Sequence, residues 1–184
     1  MRIKRSLYWL ATALLIFSLI GCQIFRPAQY TVKRVSDGDT LTVSDSQGTD
    51  IKVRFACVDA PEVPHTAKER ASKRAIVRDQ FQWGMQAQNR VQQLVKQGGD
   101  RVNLIITDSD RYGRKVSEVR LSNGTLIQEV LVREGLALVY RPYLKDCPSA
   151  AIVDQAEAEA KQQQRGVWSD PKFVEPWEYR KRNK

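Results

Sequence analysis

The sequence predicts a mostly β domain with added α-helices, in which a closed five-stranded barrel carries about three helices packed at its side. Short segments of alternating apolar and polar residues recur between Tyr30 and Leu121. Asp-Gly and Asn-Gly pairs at 37–38 and 123–124 are typical turn signals, and longer segments have one apolar helical face. Periodicity alone leaves a mixed open sheet as the alternative.

The predicted strands are the segments that alternate between apolar and polar residues, namely 30–36, 39–44, 51–58, 101–107 and 114–121. The turn at Asp37-Gly38 joins the first two, and the polar stretch SDSQGTD separates the second from the third. In the third strand Phe55 and Cys57 lie on the apolar side, while Arg54 lies on the polar side.

The predicted helices cover residues 81–97, 125–135 and 148–165. The second helix is expected to open with a capping box from Thr125 to Gln128. Before the first helix, residues 61–80 have the composition of a long, exposed and basic loop. Residues 169–184 form an aromatic and basic C-terminal tail that is expected to pack on the domain.

Residues 1–21 have the layout of a secretory signal, with the basic segment MRIKRS followed by an uncharged apolar run. The segment LIGC at 19–22 is similar to the lipobox of bacterial lipoproteins, which implies that Cys22 is acylated and anchors the protein to a membrane. Residues 22–29 would then be a linker, and the domain would be exported to the cell envelope. An uncleaved anchor and simple secretion are the alternatives; each also places the domain outside the cytoplasm, because the basic cluster precedes the apolar run.

The net charge of +9 favours a polyanionic partner, such as nucleic acid or an anionic membrane surface. With Cys22 assigned to lipid, two cysteines remain in the domain, Cys57 and Cys147. A disulfide between them suits an oxidising compartment. A buried free thiol suits the apolar position of Cys57 equally well, so both states stay open.

Charged residues concentrate at the ends of the second and third predicted strands. Asp39 opens the second strand, Asp59 closes the third, and Glu62 follows it. If these strands pair, the two aspartates approach each other, and the repulsion between them favours a hard divalent cation. Arg54 and Arg114 add an anion-binding clamp. Carboxylates for a metal beside arginines for an anion are the groups that phosphodiester cleavage requires.

Four segments resemble the staphylococcal nuclease, or thermonuclease, family: DGDT at 37–40, VRFACVDAPE at 53–62, DRYGR at 110–114 and LVREGLALV at 131–139. The resemblance covers residues 30–168, the predicted nuclease domain, and implies a five-stranded OB-fold barrel with three helices. It also implies calcium-dependent hydrolysis of DNA and RNA, single- or double-stranded, with little sequence specificity and with 3′-phosphate products.

The resemblance assigns functional residues position by position. Asp39 and Asp59 are the implied Ca²⁺ ligands, together with the backbone carbonyl of Ala60, where many family members have threonine. The implied catalytic residues are Arg54, Glu62 and Arg114.

Arg111, Tyr112 and Tyr140 are candidate nucleic-acid contacts, because bases stack on tyrosine rings beside basic groups with little sequence preference. Tyrosines that cap the barrel rim are the alternative. The expected protein is a monomer. Two other functions are the alternatives, a non-catalytic barrel that binds nucleic acid and a lipoprotein with a structural or adhesive role. The first would be expected to have lost one of the five acids and arginines, and the second leaves them without a task.

Overall fold

The computed structural model describes residues 29–183. Its barrel strands are β1 (Gln29–Val35), β2 (Thr40–Ser44), β3 (Asp50–Phe55), β5 (Arg101–Ser109) and β6 (Lys115–Leu121). They close in the order β1–β2–β3–β6–β5, and neighbours are antiparallel except for the parallel pair of β3 and β6. The predicted five-stranded barrel is therefore confirmed, and the open-sheet alternative is wrong.

Two short strands form a second sheet, which the sequence did not predict. They are β4 (Val58–Asp59) and β7 (Leu138–Val139), and they pair antiparallel. The prediction of one continuous strand over 51–58 is therefore wrong. Cys57 has a φ of 73°, which an extended strand does not allow, and the chain turns away from the barrel at this residue.

The helices are α1 (Ala67–Arg70), α2 (Ala75–Gln97), α3 (Ile127–Arg133), α4 (Ala150–Gln162) and α5 (Pro176–Arg182). Two 3-10 helices, Arg141–Asp146 and Gly166–Ser169, connect the later elements. Within residues 29–183, none of the helices combines the length and the apolar character that crossing a bilayer demands.

The long helix α2 covers the barrel with one apolar face. Its Ala87, Val91 and Leu94 are buried in the same cluster as the barrel residues Leu41 and Phe55. Burial of a large apolar side chain contributes about 1.5–3 kcal/mol, so this contact is a major source of stability. It also fixes where α2 lies relative to the ends of β2 and β3.

The prediction of one long loop over residues 61–80 is wrong. Thr66 caps α1 in a capping box with Glu69, and α2 begins at Ala75 rather than near residue 81. Basic residues interrupt the apolar pattern in this segment, which hid the first turns of α2 from a periodicity argument.

The capping box predicted at the start of α3 is also wrong. The residue before the helix is Leu126, and no side chain caps it. Gln128 is buried and bonds to strand β6 instead: its amide oxygen accepts from Val119 N at 3.1 Å, and its amide nitrogen donates to Ser117 O at 2.9 Å. A side chain committed to the sheet is not free to cap a helix.

The C-terminal tail packs against α2. Tyr179 of α5 forms a small apolar cluster with Val77 and Phe81 of α2. The buried Gln80 donates to the carbonyl of Val174, and Arg74 donates to Asn183 at 2.8 Å. These contacts hold α5 beside the first half of α2.

Candidate active site

The site begins at the turn between β1 and β2. Asp37 accepts a hydrogen bond from the backbone N–H of Asp39 at 2.9 Å, which fixes the turn. A Cβ at Gly38 would lie 2.6 Å from the Ala87 Cβ and 2.7 Å from the Ala60 Cβ, so only glycine lets α2 and the site backbone approach this closely. Asp39 then sits at the start of β2, against the end of β3.

Asp39, Arg54 and Asp59 are in direct contact. The two terminal nitrogens of Arg54 bond separately to Oδ1 of Asp39 and to Oδ1 of Asp59. Ala60 donates its backbone N–H to the other Asp39 oxygen at 2.7 Å. Asp39 is 2% exposed and Asp59 is fully buried. One guanidinium therefore links the two carboxylates that the sequence predicts to approach each other.

Burial raises the pKa of the Asp39 carboxyl well above its ordinary value. Arg54 acts against that rise, whereas the charges of Asp37 and Asp59 add to it. Burial lowers the pKa of Arg54, but attraction to Asp39 and Asp59 outweighs it and leaves that pKa raised. The site thus confines negative charge in a place with little water, where added positive charge is favourable.

Glu62 joins the two aspartates through a residue that the sequence analysis missed, Arg180 of α5. One Arg180 nitrogen donates to Glu62 Oε1 at 2.7 Å, and the other pairs with Asp59 Oδ2. Burial lowers the pKa of Arg180, but the bonds to Asp59 and Glu62 raise it above its ordinary value. We refer to Asp39, Asp59 and Glu62 as the acid cluster.

The backbone around Glu62 lies directly against α2. A Cβ at Gly84 would come within 2.0 Å of the Glu62 carbonyl oxygen and 2.7 Å of the Pro61 oxygen. Gln80, one turn earlier, accepts weakly from the Glu62 N–H at 3.4 Å. The absence of a side chain at Gly84 is what permits this packing.

Arg114 lies in a turn of residues 110–114, which we call the arginine turn. Asp110 accepts from the backbone N–H of Arg114 at 3.0 Å and from its Nε at 2.7 Å. Burial acts to raise the pKa of Asp110, but these bonds hold it below its ordinary value. In the described part of the chain, Arg114 pairs with Asp110 rather than with the acid cluster.

The register of the sheet nevertheless brings the arginine turn near Arg54. Strand β6 begins directly after Arg114, and its Val116 lies beside Arg54 in the parallel pair of β3 and β6. Arg114 comes two residues before Val116, just ahead of the strand that neighbours β3. The parallel pairing therefore places the arginine turn at the start of the strand next to β3.

The three candidate nucleic-acid contacts differ in exposure. Tyr112 is 73% exposed, and the guanidiniums of Arg111 and Arg114 lie 5.4 and 5.7 Å from its ring centre. Tyr140 is half-buried and packs between the rings of Tyr143 and Trp177, at 5.6 and 5.5 Å. Tyr112 is therefore free to stack on a base, whereas Tyr140 already has aromatic neighbours.

A disulfide links the segment just before Asp59 to a later part of the chain. Cys57 is bonded to Cys147, which decides between the two cysteine states left open by the sequence. The backbone carbonyl of Cys57, which lies two residues before Asp59, also accepts a hydrogen bond from the backbone N–H of Tyr140 at 2.8 Å. The two sulfurs lie close to the buried Glu118, but a disulfide has no thiolate to offer a metal.

A hard divalent cation suits the donor atoms at the acid cluster. Asp39 and Asp59 offer carboxylate oxygens, and Ala60 offers a backbone carbonyl oxygen, the ligand types that Ca²⁺ takes. The two carboxylates are buried and share Arg54 as a cationic partner, so a further positive charge would reduce their repulsion.

The groups gathered at the acid cluster suit phosphodiester hydrolysis, and comparisons with known proteins agree. Residues 52–170 match the family model described as staphylococcal nuclease homologue. The chain is 34% identical to a micrococcal nuclease of Shigella flexneri over 182 residues, 95% of this chain and 91% of that protein.

Two further relatives have names of the same kind. An uncharacterized endonuclease of Escherichia coli O157:H7 is 32% identical over 82% of this chain and 84% of its own length. One of Haemophilus influenzae is 30% identical over 95% and 85%. The chain belongs to the staphylococcal nuclease family and is a nuclease.

Proposed function

We propose that the protein is a calcium-dependent phosphodiesterase that hydrolyses DNA and RNA, single- or double-stranded, with little sequence specificity and leaves 3′-phosphate products. The observation that carries this proposal is the contact of Arg54 with both Asp39 and Asp59, with Glu62 joined to the same group. Carboxylates and a guanidinium held together supply a cation site and an anion site side by side.

Asp39, Asp59 and the Ala60 carbonyl would hold Ca²⁺. Bound there, the ion would neutralise charge on a non-bridging phosphate oxygen. The residues of the chain have their own tasks. Glu62 accepts a proton from the water that attacks phosphorus. Arg54 and Arg114 donate hydrogen bonds to the phosphate as its negative charge grows; for Arg114 this means leaving Asp110, its present partner.

Low sequence specificity is supported by the kind of groups available for the nucleic acid. The exposed Tyr112 ring with Arg111 beside it offers stacking and positive charge. Every base has a flat face that can stack, and every nucleotide has a phosphate, so neither contact distinguishes one base from another.

The test is incubation of purified residues 23–184 with single-stranded DNA, with Ca²⁺ or with a chelator. We expect the wild type to cleave DNA only when Ca²⁺ is present. The Asp59→Asn variant should lose cleavage, whereas Asp50→Asn, a control at an exposed position of β3, should retain it. Products should accept label from a 5′ kinase without prior phosphatase treatment, as 3′-phosphate chemistry leaves a 5′ hydroxyl. Binding of DNA without cleavage under every condition would instead indicate a non-catalytic nucleic-acid-binding barrel.

We also propose that the domain acts outside the cytoplasm, attached to a membrane through lipid on Cys22. Residues 1–28 lie outside those the structure describes. Support comes from the Cys57–Cys147 disulfide, because such bonds persist in oxidising compartments. A radiolabelled fatty acid should label the wild type but not Cys22→Ser; an unlabelled wild type in the membrane fraction would favour an uncleaved anchor.

A further inference from the structure

Arg180 connects two members of the acid cluster. Its two terminal nitrogens bond to different carboxylates, one to Asp59 and the other to Glu62. Asp59 is a candidate metal ligand, and Glu62 is the candidate base. A guanidinium has a rigid planar fork, so a group bound to each arm is held at a fixed separation from the other.

The rest of the C-terminal segment holds Arg180 in place. Tyr179, the residue before it, is buried against Val77 and Phe81 of α2. The buried Gln80 bonds on one side to the carbonyl of Val174 and on the other to the backbone N–H of Glu62. One side chain of α2 thus ties the segment before α5 to the same loop that carries Glu62.

We propose that Arg180 is a positioning residue of the active site, which holds the Glu62 carboxylate at a fixed distance and orientation relative to Asp59. The inference rests on the proposed function, because it gives Glu62 the role of base. Residues 176–182 lie outside the segment 52–170 that matches the family model. The C-terminal helix therefore supplies a side chain to the site from outside the matched segment.

The difference in burial between Asp59 and Glu62 explains why Arg180 is needed to position Glu62. Asp59 is fixed by its complete burial, but the Glu62 side chain is 29% exposed and has rotatable bonds that burial alone does not restrict. A carboxylate that must take a proton from an attacking water has to be held in reach of it, and misplacement by about 1 Å costs about 10²-fold in rate. The bond from Arg180 removes this freedom before substrate arrives.

The opposite role is an inhibitory contact, in which Arg180 occupies the acids and must leave before catalysis. The two roles give opposite results on removal of the guanidinium. Loss of a positioning residue lowers kcat, whereas loss of an inhibitory contact raises kcat or lowers the Ca²⁺ concentration needed for activity.

The test compares Arg180→Ala and Arg180→Lys with Arg182→Ala, a matched control that removes an exposed arginine from the same helix. The measurements are kcat and KM on single-stranded DNA, the Kd for Ca²⁺ by calorimetry in the absence of DNA, and the Tm. The lysine variant keeps the positive charge but cannot bond to both acids as a fork does.

We expect kcat to fall about 10- to 100-fold in both Arg180 variants, with KM changed less than kcat. The Kd for Ca²⁺ should stay the same or tighten in Arg180→Ala, because a positive charge next to Asp59 has been removed. The Arg182→Ala control should match the wild type. If Arg180→Ala does not fold, the lysine variant gives the decisive kcat.

Three results would overturn the inference. The first is a kcat equal to or above that of the wild type, with the increase indicating an inhibitory contact. The second is a fall in kcat accompanied by weaker Ca²⁺ binding and a lower Tm, which indicates a general structural role. The third is full activity in Arg180→Lys, which would show that bonding of one planar guanidinium to both acids is not required. Failure of the wild type to cleave at all would instead overturn the proposed function.

Discussion

The acid cluster and the arginine turn bring charges together in different ways. In the acid cluster, Asp39 and Asp59 are almost inaccessible to solvent; Arg54 reaches them from strand β3, and Arg180 reaches Asp59 from the distant C-terminal helix. In the arginine turn, Arg114 bonds to an aspartate four residues earlier, and Tyr112 projects into solvent.

This difference in burial predicts that the two regions contribute differently to stability and to activity. Charges buried in the acid cluster are part of the folded core, so a change there alters stability and activity together. The arginine turn is local and partly exposed, and pairs of this kind contribute about 0.2–1 kcal/mol to stability. A change in the turn is therefore expected to alter function while the fold persists.

Arg54→Ala should have the largest effect. It removes a guanidinium that contacts both buried aspartates, so we expect kcat to fall about 10²–10³-fold. Two carboxylates are left buried without that partner, and the free energy of unfolding should fall by about 3 kcal/mol. Enzyme kinetics and urea denaturation in the presence of a chelator measure the two effects.

Lys52→Ala is the control for this prediction, since Lys52 is exposed on the same strand and should change stability by less than about 0.5 kcal/mol. An Arg54→Ala protein with ordinary turnover would contradict the site assignment. One with no loss of stability would contradict the coupling of fold and function at the acid cluster.

Arg114→Ala should reduce kcat to a similar extent, about 10²–10³-fold, but lower stability by no more than about 1 kcal/mol. The reason is that, among residues 29–183, the ion-pair partner of Arg114 is the nearby Asp110. The same kinetics and urea denaturation apply. Separation of activity from stability in this variant, and their joint loss in Arg54→Ala, would establish the contrast between the two regions.

Arg111→Ala is a matched control for Arg114, because both guanidiniums lie within 6 Å of the Tyr112 ring centre, at 5.4 and 5.7 Å. Its kcat should fall less than about tenfold, since a contact with nucleic acid away from the reacting phosphate affects binding more than chemistry. Equal losses of kcat in the two variants would contradict a catalytic role that is specific to Arg114.

Gly84→Ala tests the support of the acid cluster without touching a charge. Alanine is favoured over glycine in a helix by about 1 kcal/mol, but here its Cβ would lie 2.0 Å from the backbone carbonyl oxygen of Glu62. We expect a net loss of about 1–3 kcal/mol in stability from overpacking and about tenfold in kcat as Glu62 shifts. Gln82→Ala, exposed on the same helix, is the control; a stabilised and fully active Gly84→Ala would show that Glu62 tolerates displacement.

The sequence predicted what depends on local patterns. The barrel strands have a period of two, and the segments 37–40 and 53–62 carry four of the charged residues that the structure gathers. The pairing of β2 with β3 sets Thr40 opposite Arg54, which brings the two segments together. An antiparallel hairpin is the simplest arrangement of consecutive strands, so this proximity followed from the sequence alone.

The remaining features depend on contacts that no local pattern encodes. Strands β4 and β7 are two residues long, too short to show periodicity. Arg180 is 118 residues from Glu62, and its helix has only seven residues. Pro176 at the first position of that helix was a usable start signal. That signal indicates a helix, but it does not indicate where the helix packs.

Tyr112→Ala should have the smallest effect on stability but should clearly weaken substrate binding. The ring is 73% exposed, so its loss should change stability by less than about 0.5 kcal/mol, which argues against a role in capping the barrel rim. Loss of one stacking contact should raise the Kd for single-stranded DNA about fivefold or more, with kcat unchanged. Fluorescence anisotropy of a labelled oligonucleotide in the presence of chelator measures binding without cleavage. Tyr112→Phe keeps the ring and should bind as the wild type does; an unchanged Kd in Tyr112→Ala would leave phosphate contacts, rather than stacking, as the function of the arginine turn.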